Sequence, residues 1–137
     1  MTRLKLDQDD LALSTVIERV TGARVKDCFK DEETLFVIVA TGEVGRAIGR
    51  NGEHLHRLQT ELGKRIKVIE YQDQAAAFLR KVIYPLNVQE IREEEQALLI
   101  RDNNKKTKSL LIGRDGRNLK NINRAVQRFF NKEVKVV

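Results

Sequence analysis

One short pattern occurs twice, and that repetition constrains the fold more than any other feature of the chain. Ile48-Gly49-Arg50-Asn51-Gly52 returns 64 positions later as Ile112-Gly113-Arg114-Asp115-Gly116. The apolar positions that follow, Leu55, Leu58 and Leu62, return at the same offset as Leu119, Ile122 and Val126. Their i, i+3, i+7 spacing lines one face of a helix. Each helix gives way to a short alternating segment, Ile66-Lys67-Val68 in one half and Val134-Lys135-Val136 in the other, and both read as strands. The offset has grown to 68 at that point, which predicts a second helix about one turn longer, carried by Phe129 and Phe130. Self-similarity of this kind means one supersecondary unit built twice.

The halves also correspond upstream of the glycines. Leu13, Val16, Ile17 and Val20 line one amphipathic helix, with Asp9 or Asp10 as its cap; Ala75, Leu79, Val82 and Ile83 line another after Asp73, stopped by Pro85. Strands are expected around residues 24–29 and 86–92, although the alternation there is imperfect. Acidic turns follow, Asp31-Glu32-Glu33 and Glu93-Glu94-Glu95, and lead into the apolar runs 35–40 and 97–100, each a candidate buried strand. Consecutive carboxylates on a turn point apart, so no metal site is expected in them. The order in each half is helix, strand, strand, short helix, glycine loop, helix, strand. This predicts an α/β (α+β) chain of two domains, 1–72 and 73–137. No Gly/Ser-rich or Pro-rich spacer separates them, and units of this size are expected to pack on each other.

Charge sharpens the reading. Residues 1–72 hold 12 basic and 12 acidic side chains, whereas residues 73–137 hold 14 and 8, so the whole net charge of +6 belongs to the second half. From Arg101 onward, 11 bases face only Asp102, Asp115 and Glu133. Such a field attracts a polyanion, although a solvated, salt-bridged surface has the same composition. Over the 137 residues, 41% hydrophobic and 34% charged side chains suit a soluble globular protein. The longest apolar run has six residues, far short of the roughly 18 needed to span a membrane. A single cysteine, Cys28, fits a reducing compartment, and a cytoplasmic protein is expected.

Most catalytic alternatives lack their residues. No Gly-Lys-Ser/Thr accompanies the glycines of residues 42–52, so there is no Walker loop, and no Gly-x-Gly-x-x-Gly occurs. His54 and His56 are two apart on a helix and point about 200° away from each other, which suits structural or surface histidines and not a shared metal. Cys28 reads as a small core residue. No enzyme activity, metal or cofactor is expected.

The glycine loop itself has a definite physical capacity. Gly-x-x-Gly between two helices permits a tight turn at positive φ and a close backbone approach. The following helix presents unpaired N–H groups and the positive end of its dipole, and Arg50 or Arg114 adds a cation beside them. A phosphate is the natural guest.

Both halves resemble KH domains, with Ile-Gly-Arg-Asn-Gly at 48–52 and Ile-Gly-Arg-Asp-Gly at 112–116 similar to that family's nucleic-acid-clamping loop. The element order is similar to the type II arrangement, a three-stranded mixed sheet covered by three helices, and the tandem of two such units resembles the archaeal NusA-type transcription factors. The resemblance implies a groove for single-stranded RNA between each loop and the last strand. It implies that Gly49, Arg50, Asn51 and Gly52 hold backbone phosphates, with Ile48 and Leu55 as apolar wall, and that Gly113, Arg114, Asp115, Gly116, Ile112 and Leu119 do the same in the second unit. Ile66, Lys67, Val68, Val134, Lys135 and Val136 would edge the groove. Asp115 stands where a basic or neutral residue suits a phosphate better, with Arg114, Arg117 and Lys120 compensating. Arg101, Lys105, Lys106, Lys108, Arg124 and Arg128 would add attraction along the backbone, about half of them dispensably. The implied partners are a nascent transcript and, as a further candidate, RNA polymerase, bound by a monomer away from any membrane in termination or antitermination. A ribosome-associated KH protein and an interaction scaffold with degenerate units are the alternatives.

Overall fold

In each half a central strand pairs antiparallel with one neighbour and parallel with the other. The computed structural model describes the backbone of residues 2–137 and the side chains of residues 12–137. It divides the chain into two units, Met1–Tyr71 and Gln72–Val137. The first runs α1 (Thr2–Thr21), β1 (Val25–Lys30), β2 (Thr34–Val39), α2 (Val44–Ile48), a tight turn (Arg50–Gly52), α3 (Glu53–Leu62) and β3 (Arg65–Glu70). The second runs α4 (Ala75–Ile83), β4 (Glu90–Glu93), β5 (Ala97–Arg101), α5 (Lys105–Ile112), a tight turn (Arg114–Gly116), α6 (Arg117–Gln127) and β6 (Glu133–Val136). The element order is the one the repeat predicts.

The sheets have strand orders β1-β2-β3 and β4-β5-β6. Cys28 lies opposite Val37 in the antiparallel pair, and Val37 lies beside Val68 in the parallel one. In the second unit Ile91 opposes Ile100, and Ile100 lies beside Val136. A register shift between Val25 and Asp27 explains the broken alternation of β1, because a bulge there sends successive side chains out of step.

Strand alternation sets which side chains meet the helices. Leu35, Val37, Val39 and Ile66 share a buried cluster with Ile17, Cys28, Ala47 and Leu58, on which Leu55 and Val68 also pack. Cys28 is thus a core residue, as its position in an early strand suggests. On the opposite face Phe29 and Phe36 stack with ring centroids 4.8 Å apart. Each fully buried aliphatic or aromatic side chain stabilises by about 1.5–3 kcal/mol. Truncating Leu58, which is 2% exposed, is expected to cost about 2–5 kcal/mol.

Four sequence expectations need correction at element ends. Helix α1 passes through Asp9 and Asp10, so neither caps it. Gln74, not Asp73, occupies the cap position of α4. Strand β4 starts at Glu90, because after Pro85 the Leu86 N–H closes a turn onto Ile83, and the Gln89 N–H is taken by the buried Asp102 carboxylate. Helix α6 has 11 residues against 10 in α3, not a further turn. Gly63, at φ +63°, ends α3 sharply, whereas α6 has no glycine there. The chain instead loops through Phe129 and Phe130, whose rings lie 5.6 and 5.8 Å from that of Phe78.

Candidate nucleic-acid interface

The two glycine loops adopt the same backbone path. Gly49 and Gly113 take φ +80° and +75° with extended ψ, Asn51 and Asp115 both take φ 55°, ψ 26°, and Gly52 and Gly116 both take φ +73°. Three positive-φ residues in four reverse the chain between two helices in a single turn, closed by the Gly52 N–H donating to Gly49 O at 3.1 Å and Gly116 to Gly113 at 3.2 Å. Asn and Asp are the side chains best suited to the left-handed region. This accounts for Asp115, which electrostatics alone disfavours beside a phosphate. Backbone conformation selects it.

The first glycine of each loop is required by space as well as torsion. A Cβ on Gly49 would stand 2.7 Å from His54 Cγ, and one on Gly113 2.7 Å from Asn118 Cβ. These two contacts belong to a pair of residues not singled out for this role in the sequence. His54 Nδ1 lies 2.9 Å from the Arg46 carbonyl oxygen, and Asn118 Nδ2 donates to the carbonyl oxygens of Leu110 and Leu111, both at 3.0 Å. The equivalent side chains therefore satisfy the last carbonyls of α2 and α5 and tie each incoming helix to the outgoing one. The signal was present in the repeat, since both stand six residues after the Ile of the pattern, but His and Asn do not look alike until their shared acceptor is seen.

Arg50, Asn51, Arg114, Asp115, Arg117 and Lys120 are exposed, so the loop cations are available to a ligand. Gly52 and Gly116 precede α3 and α6 with no side-chain cap, and the first N–H of each helix, that of Glu53 and of Arg117, donates to the carbonyl oxygen of the loop arginine, Arg50 and Arg114, so that each arginine stands at the positive end of a helix dipole. Behind the loops, Ile48, Leu55 and Leu119 are half-buried and Ile112 is 39% exposed, forming an apolar shelf. Lys108 is half-buried on α5. Helices α2 and α3 pack on β3, and α5 and α6 on β6, so each shelf lies next to the outer strand of its sheet.

The strand residues divide by face. Ile66, Val68, Val134 and Val136 alternate with Lys67 and Lys135, which places the two lysine side chains on the sheet face away from the loop helices. Burial holds the Lys67 ammonium below the ordinary lysine pKa. Among the other bases, Arg124 donates to Asn121 Oδ1 at 3.2 Å and Arg128 to the Arg124 carbonyl at 3.4 Å, while Arg101, Lys105 and Lys106 are exposed. The acidic turns serve structure. Asp31 Oδ1 accepts from the Glu33 and Thr34 N–H groups at 2.8 and 2.7 Å. Lys64 then donates to the Asp31 and Glu32 carbonyls, and in the second unit Lys132 donates to those of Glu94 and Glu95.

A bend of this form, duplicated with its helices and outer strand, can be set against known proteins. Residues 13–96 match the KH domain family, more than half of the chain. The chain belongs to the KH-domain family. It is 30% identical over 131 residues to a protein of Halococcus morrhuae described as probable transcription termination protein NusA, covering 94% of each chain. It is 26% identical to the protein of the same description from Methanocaldococcus jannaschii, covering 87% of this chain and 67% of that one. The relative of that description from Methanococcus vannielii is 32% identical over 89 residues, and the aligned part spans about half its length (51%). Among solved structures, one described as "Crystal structure of APE1850" has a TM-score of 0.76 at 28% identity, covering 95% of this chain and 99% of that one. The likeness to the NusA-type KH proteins extends over both units.

Proposed function

We propose that this KH-domain protein binds single-stranded RNA and acts on it in transcription termination, as the description of its relatives suggests. The observation that carries the proposal is the shared geometry of the two loops. Each sets an exposed arginine at a helix N-terminus that has no side-chain cap, beside an apolar shelf and an outer strand, a combination that suits a phosphate, a base face and a base edge in that order. A KH loop clamps about four backbone nucleotides, and each unit would hold one such segment. The role asked of the side chains is binding and orientation; no step of bond making is assigned to them.

Fluorescence anisotropy with labelled single-stranded oligoribonucleotides tests the proposal on the triple variant Arg50→Asp, Asn51→Asp, Arg114→Asp. The two arginines are exposed, and Asp already occupies the matching left-handed position at 115, so the variant is expected to melt with the parent. Affinity should fall more than about tenfold, since charge-assisted contacts are replaced by repulsion. Binding that survives in the folded variant overturns the clamp.

A further inference from the structure

The two loops are approached by helices of unequal length. Helix α2 has 5 residues and begins at Val44, whereas α5 has 8 and begins at Lys105. Where the second unit has Lys105, Lys106 and Lys108, the first has Thr41, Gly42 and Val44 at the 64-residue offset of the repeat. In the first unit that stretch is tied down. Thr41 Oγ1 donates to the Tyr71 carbonyl oxygen at 2.7 Å, the Gly42 N–H donates to Glu70 Oε2 at 2.9 Å, and Val44 packs on the core cluster. In the second unit the helix starts on its own cap, with Asn104 Oδ1 accepting from the Lys106 and Thr107 N–H groups at 2.9 and 3.1 Å.

Three ammonium groups therefore stand at the start of α5, the end at which a helix dipole disfavours cations. Lys105 and Lys106 are exposed and Lys108 is half-buried, and among the described residues none of the three side chains makes a hydrogen bond or an ion pair. Charges set against a dipole, with no protein group to offset them, break a local rule of helix stability in the way that binding sites do. Their placement is also directional. At about 100° per residue, Lys105 and Lys108 share a face of α5 with Ile112, while Lys106 lies about a quarter turn away. From Lys105 to Ile112 that face runs about 10 Å and ends at the Arg114 turn. Residues 41–45 of the first unit hold no base, and the carboxylate of Glu70 lies against them.

We propose that Lys105 and Lys108 prolong the phosphate track of the second loop along α5, so that the second unit holds about two phosphates beyond the four-nucleotide segment of a KH loop, while the first unit stops at its loop. This rests on the RNA-binding reading above. An ammonium meets a phosphate oxygen as a point charge and carries no base information, so the added contacts lengthen the bound strand without reading its sequence. Lys106, turned off that face, is not required.

Anisotropy with labelled oligouridylates of about four, six and eight nucleotides, on the full chain, counts these contacts. With Arg50→Asp and Asn51→Asp only the second loop is left working, and affinity should rise at least about fivefold from four to six nucleotides and little beyond. With Arg114→Asp only the first is left, and affinity should level off at about four. Adding Lys105→Ser and Lys108→Ser to the Arg50 and Asn51 replacements should remove the step, keep tetramer affinity within about twofold, and reduce the hexamer's salt slope by about 1.4, at roughly 0.7 per lost phosphate contact. Arginine at both positions should restore the step, and Lys106→Ser should leave it in place. NMR of the parent supplies a reading that does not depend on any variant folding: the side-chain methylene signals of Lys105 and Lys108 should move with the hexamer and stay still with the tetramer. A second loop whose affinity levels off at four nucleotides, a step that survives in the folded serine variant, or lysine signals unmoved by the hexamer overturns the extension. If instead the Arg50, Asn51 and Arg114 replacements together leave binding intact, it is the clamp itself that fails.

Discussion

Gly49 packs directly on His54: a Cβ on the glycine would stand 2.7 Å from the imidazole Cγ and 3.0 Å from the His54 nitrogen. Gly113 meets Asn118 in the same way, at 2.7 Å from Cβ and 2.9 Å from the backbone nitrogen. Backbone cannot retreat as a flexible side chain can. The second glycines, Gly52 and Gly116, have open space where a Cβ would be and need only their positive φ. Alanine at Gly49 or Gly113 should therefore cost about 2–4 kcal/mol, the sum of torsional strain and overpacking, against about 1–2 kcal/mol at Gly52 or Gly116. Chemical denaturation of the four single variants checks the order. Equal losses at first and second glycines contradict it.

His54 and Asn118 perform one task with different side chains, so exchanging them should be tolerated. His54→Asn is expected to keep stability within about 0.5 kcal/mol, whereas Asn118→Ala, which abandons two carbonyl oxygens at 3.0 Å, should lose about 1–3 kcal/mol. Thermal melts of both variants decide whether the carbonyl cap is what these positions provide.

Asp115 is held by its backbone conformation at φ 55°, and its charge opposes the proposed ligand. Asp115→Asn keeps a side chain at ease in the left-handed region and removes the charge. It should tighten binding of a single-stranded oligoribonucleotide about two- to fivefold at low salt, with the gain shrinking as salt is raised. Asp115→Ala should be less stable by about 1 kcal/mol. A gain that ignores ionic strength would assign the effect to something other than the carboxylate.

Lys67 gives a pH dependence with a definite sign. Its pKa is lowered from 10.5 by burial, so the unfolded chain binds more protons than the folded one between the folded value and 10.5. The charged lysine weakens the fold at neutral pH, and that penalty is lifted as pH rises through the folded pKa. Lys67→Met should be more stable than the parent near pH 7, with the difference narrowing toward pH 10. Urea denaturation at several pH values measures it; a difference that widens with pH reverses the argument.

Much of the architecture was legible because the chain states it twice. The Ile-Gly-Arg pattern, the leucine face of α3 and the matching Leu119, Ile122 and Val126 of α6 located loops, helices and outer strands together. What escaped depended on partners far away in the chain. Nothing near Gln89 shows that the Asp102 carboxylate 13 positions later takes its N–H at 3.0 Å and delays β4. The faces of Lys67 and Lys135 follow from register against β2 and β5, which an isolated Ile-Lys-Val or Val-Lys-Val does not reveal. Asn123, whose side-chain amide accepts from the Val134 N–H at 2.8 Å and donates to the Val134 carbonyl at 3.1 Å, offered no pattern, because its partner lies in a strand 11 residues downstream.

The most direct measurement is a crystal structure of the full chain with a bound single-stranded oligoribonucleotide. The account predicts backbone phosphates seated over the turns Arg50–Gly52 and Arg114–Gly116, with bases leaning on Ile48 and Ile112 toward the outer strands. A strand lying elsewhere, with neither arginine within reach of a phosphate, contradicts it.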